Sequence, residues 1–166
     1  MRKLQSILAT TVCLVFLLAC SALAEEPKKT LPGDITLAQS QVILKAALAK
    51  AEAIKVPMNI AVVDAGGNLK AFYRMEDAFI GSIDISIKKA VTARYFNMPT
   101  RALGAAAQPG KPLYGIEVTN HGLAIFAGGV LLVDKKNVII GAIGVSGGSV
   151  DEDESVALAG AAALAK

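Results

Sequence analysis

Cysteine is nearly missing from this chain. The only two, Cys13 and Cys20, fall within the first 20 residues, so nothing beyond them can form a disulfide or a thiolate metal site. Histidine occurs once, as His121, which excludes a zinc site built from several imidazoles. The nucleotide-binding patterns G-x-G-x-x-G and G-K-[ST] are absent, and Ser146 lacks the G-x-S-x-G setting of a hydrolase nucleophile. Charge of one sign is also lacking. After residue 24 the balance is 15 Lys+Arg against 14 Asp+Glu, which gives no electrostatic case for nucleic acid.

The first residues have the layout of an export signal. Arg2 and Lys3 precede an apolar stretch from Ile7 to Leu18, and Ala22-Leu23-Ala24 supplies the small-x-small cleavage pattern. The stretch is short for a membrane span, which needs about 20 apolar residues. Residues 1–24 are therefore expected to be a signal peptide, and the mature protein to be periplasmic or secreted. Leu17-Leu18-Ala19-Cys20 also resembles a lipobox, so lipidation at Cys20 is the alternative and the one route to a membrane. Residues 25–33, with Pro27 and Pro32, read as a linker. A single domain is expected over 34–166.

Within that domain Thr36 and Gln39 form a capping-box pattern before a helix that runs to about Lys55, with Leu37, Leu44, Leu48 and Ala51 on one stripe. Residues 58–63 read as a buried strand and Asp64 to Asn68 as a turn. Leu69 to Met75 is a second strand, with Lys70, Phe72 and Arg74 on one face. A helix is expected over 80–96, burying Ile80, Ile83, Ile87, Ala90 and Val91, then a short helical turn over 101–107 and irregular chain from 108 to 120. Three strands should follow, at about 122–127, 130–133 and 138–146. Ser149 and Glu152 then cap a last helix to about Ala165, with Val156, Ala159, Ala163 and Leu164 inward. The expected order is α-β-β-α-(α)-β-β-β-α, an α/β (α+β) fold with an antiparallel sheet covered by helices.

Two constellations invite functional readings. The glycines of Gly141 to Gly148 lead into a helix whose first turn carries Asp151, Glu152, Asp153 and Glu154. Those carboxylates would repel a phosphate, so the glycines are read as allowing close helix–strand packing. Asp64, Arg74 and Lys89 are the charges expected to lie near one another. Arg74 either pairs with Asp64 or Asp77, or joins Lys89 in meeting an anion such as a carboxylate. His121 is either a plain loop histidine or a metal or haem ligand at a cleft edge.

Three segments, I-A-V-V-D-A-G-G-N-L (60–69), S-I-D-I-S-I-K-K-A-V-T-A-R (82–94) and G-A-I-G-V-S-G-G-S-V-D-E-D-E (141–154), resemble in order and spacing the GlcG/HbpS family of haem-binding domains. The same domain occurs at the C-terminus of PduO-type proteins. The resemblance spans about 34–166. It implies a profilin-like fold with a five-stranded antiparallel sheet flanked by helices, a homo-oligomer (tetramer or octamer), and binding of haem or another tetrapyrrole.

The positions matching the family pattern are Asp64, Gly66, Gly67, Arg74, Ser82, Lys89, Thr92, Gly147 and Gly148. Of these, Arg74, Ser82, Lys89 and Thr92 have side chains suited to a ligand, while Asp64 and the glycines look architectural. His121 falls where the family pattern is glycine-like, so its candidacy rests on imidazole chemistry alone. Tyr95 and Tyr114 are further possible axial ligands, and Lys88 and Arg94 further cations. Without C-x-x-C-H, haem would be held non-covalently. The reading is thus an exported binding protein that scavenges, buffers or senses haem. Its alternatives are an accessory protein or enzyme acting on a small carboxylate such as a 2-hydroxy acid, and a structural oligomeric module.

Overall fold

A computed structural model describes residues 33–164, and the expected leader, Cys20 and most of the linker lie outside them. Helix α1 (Leu37–Ala53) begins at the expected capping box: Gln39 N–H donates to Thr36 Oγ1 at 3.1 Å, and Thr36 N–H donates to Gln39 Oε1 at 2.9 Å. It buries Ser40, Ile43, Leu44, Ala47 and Ala51, while Leu37 at its first turn stays exposed.

Strands β1 (Asn59–Val63) and β2 (Leu69–Arg74) form one hairpin, and β3 (Gly129–Val133) and β4 (Ile139–Ser146) a second. An aspartate builds each turn. Asp64 Oδ1 accepts from Gly66 N at 2.8 Å and Asn68 N at 2.9 Å; Asp134 Oδ1 accepts from Lys136 N and Val138 N, both at 2.8 Å. The hairpins join through antiparallel β1–β4 pairing, giving the sheet order β2-β1-β4-β3.

The sheet among the described residues thus has four strands, not the expected five. The segment near 122–127 forms no ladder because other groups take its N–H donors. Leu123 N bonds Glu117 O at 2.9 Å and Ala124 N bonds Thr92 Oγ1 at 3.1 Å.

One sheet face carries Ile60, Val62, Ile143 and Val145. It packs under α1 and the C-terminal helix α4 (Val150–Ala162), with Ile43, Leu44, Val156 and Ala157 in the same core. Full burial of each isoleucine, leucine or valine side chain contributes roughly 1.5–3 kcal/mol. Ser149 and Glu152 cap α4 as expected. The other face holds Ala61, Val63, Ala142 and Gly144 and lies under α2 (Ser82–Phe96).

Helix α2 corrects the expected stripe. It buries Ser82, Ser86, Lys89, Ala90, Thr92 and Ala93, whereas Ile80 is 75% exposed. The cause is a close approach. The space a Cβ on Gly144 would fill is taken by Ser86 O and Ala90 N of the helix backbone. Only small or stem-like side chains fit such a seam. Asn97, at φ 52°, ends α2, and the short helix α3 (Thr100–Ala106) follows. A 3₁₀ turn at Ile116–Val118 interrupts the irregular chain after it.

Candidate functional site

The strongest electrostatic feature is buried. Lys89, on the inward stripe of α2, has a side chain 0% exposed. Its Nζ donates to Asp153 Oδ2 at 2.6 Å and to Val145 O at 3.0 Å, and lies 4.7 Å from the centre of the Phe126 ring. An ammonium has three N–H groups, and two carry hydrogen bonds while the aromatic face adds a cation–π contact. Asp153, in the first turn of α4, also accepts from Gly148 N at 3.0 Å through Oδ1. Burial lowers the Lys89 pKa and raises that of Asp153, and each charge counteracts the shift of the other. Gly128 lets the chain pass: its φ is +118°, and a Cβ there would lie 2.8 Å from Lys89 Nζ. The bridge ties α2 to α4 and leaves Lys89 no face to offer an outside anion.

The expected trio of charges is therefore parted. Asp64 serves its own turn, while Arg74 pairs with Asn59 at the opposite end of the β1–β2 hairpin. Neither Asp64 nor Asp77 forms an ion pair with Arg74 among the described residues. Arg74 is exposed and donates only a long 3.4 Å bond to Ala78 O. Ser82 starts α2 and is 7% exposed. Thr92, also carried over as a ligand residue, is 1% exposed, and its hydroxyl holds Ala124 N. Arg94 bonds Asn97 Oδ1 at 2.6 Å, and Tyr95 lies against Gly67 in the first hairpin turn.

Among the sequence candidates that reach the surface are Tyr114 and His121. Both lie on the irregular segment after α3. Tyr114 is 66% exposed, and its neighbours Leu113 and Val118 are exposed apolar side chains. His121 is exposed in left-handed conformation, φ 61°, and its ring has no partner among the described residues. The following Gly122 lies against Lys88, whose ammonium also pairs with Asp84 at 2.9 Å. Lys111 on the same segment is exposed. The segment thus exposes an imidazole, a phenol, apolar side chains and the Lys111 ammonium, with Lys88 beside Gly122. A separate groove of about 280 Å³ follows the β2 edge, lined by Leu48, Glu52, Tyr73, Arg74 and Glu76 among others. It falls below the roughly 300–1,000 Å³ of pockets that enclose drug-sized ligands.

Sequence reasoning missed Asp153 as the partner of Lys89, and missed the buried Asn59. The first had a signal. Ser82, Ser86, Lys89 and Ala93 share one stripe of α2, and Asp153, Val156, Ala157 and Gly160 share one of α4. Opposite charges on two inward stripes have to meet.

Residues 35–162 match the family model described as haem degrading protein HbpS-like. The chain belongs to this family. A Citrobacter freundii protein known as an uncharacterized 15.0 kDa protein in the dhaT-dhaS intergenic region is 45% identical to it over 125 residues. The match covers 75% of this chain and 88% of that protein. The Citrobacter freundii corrinoid adenosyltransferase PduO is 37% identical over 122 residues, 74% of this chain but only 36% of PduO. A solved PduOC:heme complex superposes with a TM-score of 0.75 at 34% identity, covering 78% of this chain and 94% of that one.

Proposed function

We propose that this HbpS-like chain binds haem non-covalently, as an exported homo-oligomer that scavenges, buffers or senses it. The observation that carries the reading is the 34% identity, across 78% of the chain, to a protein solved as a PduOC:heme complex. The surface around Tyr114 and His121 supports it. Haem needs an axial donor, apolar cover and cations for its propionates. His121 or Tyr114 supplies the donor, Leu113 and Val118 the apolar contact, and Lys88 and Lys111 the charge. Bound haem would supply a redox-active iron. The chain's own part is to ligate that iron, shield the ring and neutralise the carboxylates. The 280 Å³ groove is too small for a porphyrin, and the proposed haem site is the open surface at Tyr114 and His121 or a seam between copies of the chain. Export rests on the leader, from Arg2 to Ala24, with lipidation at Cys20 as its alternative.

Titration with hemin should give a saturable Soret band at one haem per chain or per pair. Tyr114→Phe or His121→Ala should shift that band. Weak, unsaturable adsorption, or an unchanged spectrum in both variants, would refute the assignment. The intact mass of protein from the cell envelope should show cleavage after Ala24, or a lipid on Cys20. An uncleaved leader would overturn export.

A further inference from the structure

A second polar cluster lies away from Tyr114 and His121. Asn59 pairs with Arg74 of β2 on one side and with Ser146 of β4 on the other, so the three form one cross-strand row. Residues paired in this way point to the same face. Here it is the α2 face, because Val63 and Ala142, which alternate in step with Asn59 and Ser146, pack on Ala90 and Ala93. Ser82 stands above the row at the start of α2. The Phe79 carbonyl accepts from Asn59 Nδ2 at 3.0 Å and from Ser82 N at 3.1 Å, which fixes the two near each other.

The polar groups of this row are unmet. Asn59 is 0% exposed, yet its Oδ1 has no partner, and the bond from Nδ2 fixes which end of the amide is the oxygen. Ser146 and Ser82 are buried, and neither hydroxyl has a partner among the described residues. At the rim, Arg74 uses one donor of its guanidinium in a long bond. A buried amide oxygen left unpaired costs about 1–3 kcal/mol, so the row favours a molecule that brings the missing donor.

We infer that this row binds a small organic acid carrying a neutral hydrogen-bond donor. Its carboxylate meets Arg74, its hydroxyl donates to Asn59 Oδ1, and Ser82 and Ser146 complete its hydrogen bonds. A neutral donor is required because the row holds no carboxylate to balance a buried ammonium. Adjacent strands lie about 4.8 Å apart, so the row spans roughly 10 Å, a length matched by a short acid and exceeded by a porphyrin. The acid enters by displacing the Arg74–Ala78 contact. This inference does not depend on the haem reading.

The test is amide-resolved NMR of the protein titrated with lactate, 3-hydroxypropionate and propionate, alongside a hemin titration of the same sample. At least one hydroxylated acid should shift the signals of Asn59, Ser82 and Ser146 saturably. Propionate, lacking the hydroxyl, should bind about tenfold or more weakly. Arg74→Met and Ser82→Ala, each checked for an unchanged melting temperature, should weaken the hydroxylated acid. No saturable shift, an equal response to propionate, or full binding by Arg74→Met overturns the site. The hemin arm fails or succeeds on its own, so the two readings are told apart.

Discussion

Replacing Lys89 by Met separates two accounts of this residue. If the ammonium serves a ligand, its loss should alter binding and leave the fold intact. The geometry says the opposite. Lys89→Met removes the donor 2.6 Å from Asp153 Oδ2 and the donor 3.0 Å from Val145 O, and leaves a carboxylate 2% exposed without its cation. Breaking one side of a buried pair costs about 3–5 kcal/mol. For a domain of this size that is a fall of roughly 10–20 °C in melting temperature. The pH dependence has a definite sign. Without Lys89, burial is opposed at Asp153 only by the backbone N–H groups of Gly148 and Gly147, so its folded-state pKa stands further above the unfolded value. The stability tied to that proton is present at acid pH and lost as pH rises through the raised pKa. The variant should therefore melt higher near pH 5 than near pH 8, relative to the parent. The double variant Lys89→Met/Asp153→Leu removes both charges and should return to within about 1–2 kcal/mol of the parent. Calorimetry or denaturant melts of all three at two pH values decide the matter. A single variant as stable as the parent, or a double variant no better than the single, would refute the bridge.

Gly144→Ala places a Cβ where Ser86 O and Ala90 N of α2 now lie, so the helix must lift from the sheet. The expected loss is about 1–3 kcal/mol or more, read from the denaturant midpoint, and an unchanged midpoint would show that the seam is loose. Thr100→Val removes the hydroxyl that accepts from Gly129 N at 2.9 Å inside the core. Stranding that N–H should cost about 1–3 kcal/mol and speed hydrogen exchange at Gly129.

The local rules were legible wherever the answer was local. Both capping boxes and the Asp64 turn involve residues at most four apart, and all three stand where the sequence places them. The reading failed where a distant partner decided. The piece near 122–127 has strand-like composition, but Thr92 and Glu117 hold two of its N–H groups. Periodicity assigned α2 an isoleucine stripe because hydrophobicity was its only guide. The glycines of β4 instead draw the helix in until only serine, alanine and a lysine stem fit. The candidate site divided the same way. Residue type alone nominated Tyr114 and His121 as candidate donors, while the pairing of Lys89 with Asp153, 64 positions away, required two helices to be oriented at once.

The inward face of α2 separates fold from function in this protein. Ser86 donates to Ile83 O, Lys89 is held by Asp153 and Val145, and Thr92 holds Ala124 N. Each is satisfied inside the chain, so a ligand at any of them would have to break an internal bond before gaining its own. Ser82, one turn earlier, is the exception, and it borders the row where Asn59 is left unpaired. The two proposed sites, the Asn59 row and the segment of Tyr114 and His121, accordingly lie outside this satisfied stretch of the face. Substitutions within the stretch should change stability and leave ligand spectra alone. Thr92→Val is the sharpest case. It should lower the melting temperature by stranding Ala124 N, and leave both the Soret maximum and the response to hydroxylated acids where they were. A moved Soret maximum in a Thr92→Val protein of unchanged stability would return that residue to the ligand site and break the division.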